Sequence, residues 1–246
     1  MTSVNPSLVL ATDLDGTFLG GDHQQRTQLY EYIKSQREQI LLVFVTGRSL
    51  NMIRELFDFP GFPRPNYIIG DVGTTIFDGN TFQPVSAVQN WVSQVWNNAN
   101  DRVKQLLENE PGLELQPLNP DYRVAYYYQA DKFQSSTIDK ITTAGFDCIM
   151  SDKRFLDVMP KGVSKGPTLL KLMETLKLEV DRVVTAGDTL NDLSLFATGL
   201  KSIAVGNAEP KLVEKIQSVE NVFHSSEPGA AGILDGLNYY GNLTLG

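Results

Sequence analysis

Leu8-Val9-Leu10-Ala11-Thr12-Asp13-Leu14-Asp15-Gly16-Thr17 is the stretch that decides how this chain folds. Its first half is an apolar run with no polar face, which reads as a strand covered on both sides, the usual state of a parallel sheet. The run stops at two carboxylates separated by one residue and followed by Gly-Thr. In an open α/β sheet, ligands gather beyond the carboxyl ends of the strands, so Asp13 and Asp15 stand where chemistry is expected. Two such carboxylates repel unless a cation neutralises them or one keeps a proton. A hard cation with oxygen ligands, such as Mg²⁺, meets the first condition. An aspartate can also act as a nucleophile, forming an acyl phosphate that water later hydrolyses. Taken alone, the pentapeptide 13–17 has a lesser reading as a plain turn, because Asp and Gly favour turns.

Working outward, similar β-branched runs occupy 40–45, 67–69, 183–186 and 202–205, each ending in polar or glycine residues. Helix-like segments separate them at 24–36, 50–57, 166–176, 192–198 and 209–219. Strand and helix in alternation predict an α/β fold with a doubly wound parallel sheet, Rossmann-like in plan. The middle of the chain differs. It holds both tryptophans and Tyr122-Arg123-Val124-Ala125-Tyr126-Tyr127-Tyr128, which reads as an antiparallel strand. A further strand is expected over 152–159, with helices over 91–108 and 133–144. These predict an α+β module, 85–160, inserted as a cap into a core formed by 1–84 and 161–246. The proline-rich segment 60–65 reads as a loop within the core.

Composition sets limits. The chain has 246 residues, 41% hydrophobic and 20% charged, as expected of a globular protein with a buried core. Its formal net charge of -8, with no basic cluster, argues against a nucleic-acid partner. No apolar run approaches the roughly 20 residues that span a bilayer, so no membrane partner is expected. Met1 to Pro6 shows no secretory leader, and the single cysteine, Cys148, permits no internal disulfide. Both point to a reducing cytoplasm, with Cys148 as a buried small apolar residue. His23 and His224 have no partner in sequence and read as structural or solvated.

Three more polar clusters follow apolar strands. Thr46-Gly47-Arg48-Ser49 opens a helix, where backbone N–H groups and the Thr46 hydroxyl suit a phosphate oxygen; Ser49 serves equally as a plain N-cap. Gly162-Val163-Ser164-Lys165-Gly166 places a cation by a glycine turn, although an isolated lysine is ordinarily solvated. Gly187-Asp188-Thr189-Leu190-Asn191-Asp192 puts more acid at a strand end, again calling for a cation.

Asp-x-Asp-Gly-Thr, Thr-Gly-Arg, Ser-Lys-Gly and Gly-Asp-x-x-Asn-Asp, in that order, resemble the four motifs of the haloacid dehalogenase superfamily. The resemblance implies Asp13 as nucleophile and Asp15 as general acid and base. It implies phosphate held by Thr46, Gly47, Lys165 and Asn191, and Mg²⁺ held by Asp13, the Asp15 carbonyl, Asp188 and Asp192. An insert between the second and third motifs is similar to the C2 caps of that superfamily. Val45 to Ser49, Pro65 to Thr74 and Asp157-Val158-Met159-Pro160 are most similar to sucrose-phosphate phosphatases and mannosylfructose-phosphate phosphatases. That implies an enzyme of sucrose biosynthesis that hydrolyses a phosphorylated sugar, sucrose 6-phosphate or a related disaccharide phosphate; the chain is expected to be a monomer. Arg48, Arg123 and Arg154, with Tyr126 and Tyr128, are the candidate sugar contacts. One departure bears on which sugar: Arg154-Phe155 stands where those phosphatases usually show a basic residue followed by Asp. A different phosphometabolite, phosphate transfer as in phosphomannomutases, and an inactive phosphatase-like binding module are the rivals; the last is opposed by the intact acidic and lysine positions.

Overall fold

A computed structural model describes residues 6–151 and 153–242. The leader reading at Met1 to Asn5 and the strand start at Asp152 lie outside the described residues. In chain order the first elements are β1 (Leu8–Thr12), α1 (His23–Ser35), β2 (Ile40–Val45), α2 (Leu50–Leu56), β3 (Tyr67–Gly70) and β4 (Thr75–Asp78). There follow α3 (Ser86–Trp96), α4 (Asn100–Leu106), β5 (Leu113–Leu115), β6 (Val124–Tyr128), α5 (Ser136–Thr143), β7 (Phe146–Ser151) and β8 (Phe155–Pro160). The chain closes with α6 (Lys165–Leu176), β9 (Val183–Gly187), α7 (Leu193–Phe196), β10 (Lys201–Ala204), α8 (Pro210–Ile216), β11 (Val222–His224) and α9 (Gly229–Tyr239).

Seven strands form one sheet in the order β11-β10-β9-β1-β2-β3-β4, parallel except for β4. The apolar runs are continuous because both faces are covered. Leu8, Leu10, Leu42, Phe44 and Ile203 pack against Leu29 and Ile33 of α1, Ile53 of α2 and Ile233 and Leu237 of α9. Val9, Ala11, Val43, Val45 and Val183 face the other way, onto Val88 and Val92 of α3 and Leu169 and Leu172 of α6. Burying each such side chain contributes about 1.5–3 kcal/mol, so this two-sided packing is the main source of stability. The doubly wound expectation is met.

The second sheet has the order β5-β6-β8-β7 and is antiparallel throughout. Its strands all lie between β4 and α6, as an inserted module requires. The helix expected over 91–108 is instead two, α3 and α4. Asn97 and Asn98 break it, both in the left-handed region at φ 49 and 52, which Asn adopts more readily than most residues. α3 also starts earlier, and it spans both parts: Val88 and Val92 pack under the large sheet, Trp96 under the small one. The strand expected from 152 begins at Phe155, and the helix expected over 133–144 is the shorter α5.

Candidate active site

The switch point of the large sheet lies at β1, which pairs β2 on one side and β9 on the other. Everything that follows collects at that carboxyl end. Asp13 is fixed as β1 ends by its N–H donating to the Ala186 carbonyl at 2.9 Å. The chain then coils through 14–18, with Gly16 at φ 80. A side chain there would be strained and would collide with the Asp188 carboxylate, so the turn needs glycine.

Lys165 opens α6 and is completely buried. Its ammonium donates to Asp13 Oδ1 at 2.7 Å, Asn191 Oδ1 at 2.7 Å and Asp192 Oδ1 at 2.6 Å. All three of its N–H bonds are thereby used. Burial opposes its charge, but Asp13 and Asp192 more than offset this and hold the ammonium above its ordinary range. Asp192 gives its other oxygen to the N–H groups of Asp188 and Thr189, each at 3.0 Å. Asp188 accepts from the Thr17 hydroxyl at 2.7 Å and from Asn207 Nδ2 at 3.2 Å.

Asp13, Asp188 and Asp192 each bring an oxygen within 4.8 Å of the others, and all three are buried. One ammonium does not balance three carboxylates. Burial pushes Asp188 up to about 7, with Asp192 adding to the rise. It also lifts Asp13 well above the carboxylate range, although Lys165 opposes it. Without a further cation the cluster resolves its excess charge by holding protons; a divalent cation on the same oxygens resolves it without them. An all-carboxylate donor set fits Mg²⁺ better than metals that favour thiolate or imidazole.

The second motif lies beside this cluster. Thr46 is buried, and its hydroxyl accepts from the Arg48 N–H at 3.2 Å. Gly47 follows at the strand end. Arg48 forks onto Asp15, Nε to Oδ2 at 2.9 Å and Nη2 to Oδ1 at 2.6 Å, in a pair open to solvent on the Asp15 side. Asp15 is thus outside the buried acidic cluster and tied to Arg48.

The small sheet lies over this end. β7 runs against the 190–192 turn. Cross-strand register puts Tyr127, Phe155, Asp157 and Ile149 on one face, and that face meets the large sheet's residues through Asp157 and Arg123. Tyr126 is on the opposite face, buried with Trp96 and Leu107, and Tyr128 packs on Phe133. Of the three tyrosines, the one on the site-facing side is Tyr127, which the sequence reading passed over. Arg154 stacks over Tyr127 at 4.7 Å and Phe155 at 5.6 Å. Arg123 is not open to a ligand on its two terminal nitrogens: it is buried and paired to Asp157 and, at 3.0 Å, Asp71. His23 and His224 are exposed, and Cys148 is half-buried on the helix-facing side of the small sheet, not fully enclosed.

Sequence reasoning missed Asn207. Its Nδ2 donates to the Gly16 carbonyl at 3.0 Å as well as to Asp188, and its Oδ1 accepts from the Gly229 N–H at 2.8 Å. It lies in none of the four motifs, and only its place just past the β10 strand end hinted at it.

A parallel sheet with a buried Asp-Lys-Asp cluster at its switch point and a small sheet inserted over it defines a hydrolase fold of the haloacid dehalogenase class. A haloacid dehalogenase-like hydrolase from Bacillus subtilis shares that fold at a TM-score of 0.68 and 18% identity, covering 98% of this chain and 94% of its own. Within the class, this chain belongs to the sucrose-6F-phosphate phosphohydrolase family, whose sequence model matches residues 6–241. The sucrose-phosphatase of Synechocystis sp., solved with sucrose and phosphate, superposes at a TM-score of 0.87 with 26% identity, covering 97% of this chain and all of that one. The mannosylfructose-phosphate phosphatase of Agrobacterium fabrum is 28% identical over 97% of this chain and 98% of its own. A glucosylglycerol-phosphate synthase of Pseudomonas anguilliseptica is 39% identical over 96% of this chain, which spans only 31% of that relative. Among the described residues no helix is long and apolar enough to cross a membrane.

Proposed function

We propose that the chain is a phosphatase that hydrolyses a phosphorylated sugar, sucrose 6-phosphate or a related disaccharide phosphate, through an aspartyl-phosphate. The observation that carries this reading is the buried Lys165 ammonium bonded to Asp13 Oδ1, which leaves the second Asp13 oxygen with no hydrogen bond from a described residue. That oxygen attacks phosphorus, and the bond from phosphorus to the sugar oxygen breaks. Asp15 delivers a proton to the leaving oxygen, then takes one from the water that hydrolyses the acyl phosphate and frees Asp13. Arg48 orients Asp15 between these two duties. Thr46, the Gly47 backbone, Lys165 and Asn191 hold the transferring group, Lys165 by turning one N–H from its present three partners to a phosphoryl oxygen; the equatorial charge of that group is the main thing the site must balance. Asp13, Asp188 and the Asp15 carbonyl would hold Mg²⁺, with Asp192 bracing Asp188 and Lys165. When bound, the ion supplies positive charge to the phosphoryl oxygens.

The division at 85 and 160 follows from this reading, with the inserted part closing over the sugar. The chain acts as a monomer in the cytoplasm, which suits its single cysteine. A phosphate-release screen with Mg²⁺ over phosphorylated mono- and disaccharides tests the proposal. Selective turnover of a non-sugar phosphate would overturn the substrate class while leaving the chemistry intact.

A second reading is favoured by two observations. Phe155 puts an aromatic ring, which offers no carboxylate acceptor, on the site-facing side of the inserted sheet, and the relative at 39% identity is named as a glucosylglycerol-phosphate synthase. A phosphorylated glycoside with fewer hydroxyls on its second half suits Phe155 better than a disaccharide does, since a hydroxyl against an apolar ring loses its hydrogen bond to water, a preference of at most about 10²-fold. Including such a glycoside in the screen separates the two.

A further inference from the structure

We infer that Arg123 is a positioning residue that latches the inserted sheet onto the phosphate-site turn, and that Asp71 is its receiver. The inference rests on the phosphatase reading for its kinetic consequence, though not for its geometry.

Arg123 stands directly before β6. One terminal nitrogen bonds Asp157 of β8, within the same sheet, and the other donates to Asp71 Oδ1 at 3.0 Å, in the large sheet's part of the chain. All three side chains are buried, with at most 10% of each exposed. A buried pair of carboxylates around one guanidinium is weak support for stability, because desolvation offsets most of the attraction. What such a fork does well is fix geometry.

The geometry it fixes is that of the catalytic end. Asp71 belongs to the 71–73 turn, whose backbone is bonded to the second motif: the Asp71 N–H donates to the Arg48 carbonyl at 3.0 Å and the Val72 N–H to the Thr46 carbonyl at 3.0 Å. Behind it, the Gly73 carbonyl accepts from the Thr168 hydroxyl of α6 at 2.8 Å, and a side chain at Gly73 would strike the backbone of Ser164 and Lys165. The turn is therefore wedged between the residues proposed to hold phosphate. It is also strained. Asp71 and the β-branched Val72 sit at φ 48 and 60, a conformation that persists only where surroundings impose it. Arg123 is one of those surroundings, and it arrives from the inserted sheet. Seating that sheet thus presses on the turn, and through it on Thr46 and on Arg48, which carries Asp15.

The test is amide hydrogen exchange and kinetics on the full, Mg²⁺-loaded chain, comparing wild type with Asp71→Asn, Arg123→Gln and Arg123→Lys. Asn tolerates the left-handed backbone, so Asp71→Asn removes the charge with little else. The Asp71 and Val72 amides are expected to exchange about tenfold faster in Asp71→Asn and Arg123→Gln. The kcat/KM for sucrose 6-phosphate is expected to fall toward ~10²-fold through kcat, with Arg123→Lys recovering part, as misplaced catalytic groups do. Hydrolysis of p-nitrophenyl phosphate is expected to fall as well, because the displaced turn acts on Thr46 and, through Arg48, on Asp15, which any phosphate monoester uses. Wild-type exchange at Asp71 and Val72 in the Asp71→Asn variant overturns the latch, whatever the substrate is. If Arg123→Gln does not fold, Asp71→Asn alone decides. Absence of sucrose 6-phosphate turnover in wild type would count against the sugar reading and leave the exchange result standing.

Discussion

Lys165 Nζ lies 2.7 Å from Asp13 Oδ1, joining a residue at the end of the first strand to one 152 positions later. The ammonium is fully buried and also holds Asp192, so one cation ties together three of the four sequence motifs. Replacing Lys165 by Met strands two carboxylates. Loss of one partner of a buried pair destabilises by about 3–5 kcal/mol, and the loss here is expected at the low end because Asp13 can take up a proton. Phosphate release is expected to drop by at least ~10²-fold. Urea unfolding with and without Mg²⁺, alongside phosphate assay, measures both.

Metal dependence of stability has a definite sign. In the metal-free protein Asp188 titrates at about 7 against an ordinary 3.8, because of burial first and Asp192 second. Between those values the folded form binds more protons than the unfolded one, so metal-free stability falls as pH rises from near 4 toward 7. Above that window Asp188 is ionised at a standing cost that a cation removes. Mg²⁺ is therefore expected to raise the thermal midpoint more at pH 8 than at pH 6. Melting curves with Mg²⁺ and with chelator at both pH values check this, and an equal or reversed difference would contradict it.

Asn207 braces Asp188 and Gly16 without belonging to any motif. Asn207→Ala is expected to weaken Mg²⁺ by about 10-fold or more, the usual effect of removing a group that orients a metal ligand. Titration calorimetry of Mg²⁺ into the metal-free chain reads this directly.

Tyr126 and Tyr127 are neighbours with opposite fates. Tyr127→Ala is expected to raise KM for the sugar phosphate and leave melting nearly unchanged. Tyr126→Ala, which empties the space beside Trp96 and Leu107, is expected to lower stability by about 3 kcal/mol, as deletion of a core aromatic does. Unfolding curves and KM values for the two variants separate the faces.

How much of this was legible beforehand follows from what is local. The β1 run and Asp13-Leu14-Asp15-Gly16-Thr17 announce themselves because two-sided burial forbids polar residues and the strand end concentrates them. β7, Phe-Asp-Cys-Ile-Met-Ser, escaped because one half-exposed face mixes polar and apolar side chains without clean alternation. α9 escaped because Gly229, Gly232 and Gly236 lower helix propensity. They are there for tertiary reasons: side chains at 232 and 236 would collide with Val205, just past β10, and with Ile203 of β10. The Asp71–Arg123 contact bridges 52 positions and gives no local signal at all. Arg123 read as a sugar contact for that reason, since an arginine before a strand of tyrosines shows nothing of the carboxylates that await it.

The central claim is that Asp13 is the nucleophile. Steady-state phosphate release by Asp13→Asn, with Mg²⁺ and the preferred sugar phosphate, tests it most directly, with near-ultraviolet circular dichroism to verify the fold. A loss of at least ~10³-fold is expected in a natively folded variant, since an amide oxygen cannot form the covalent intermediate. Near-normal release from that variant would contradict it.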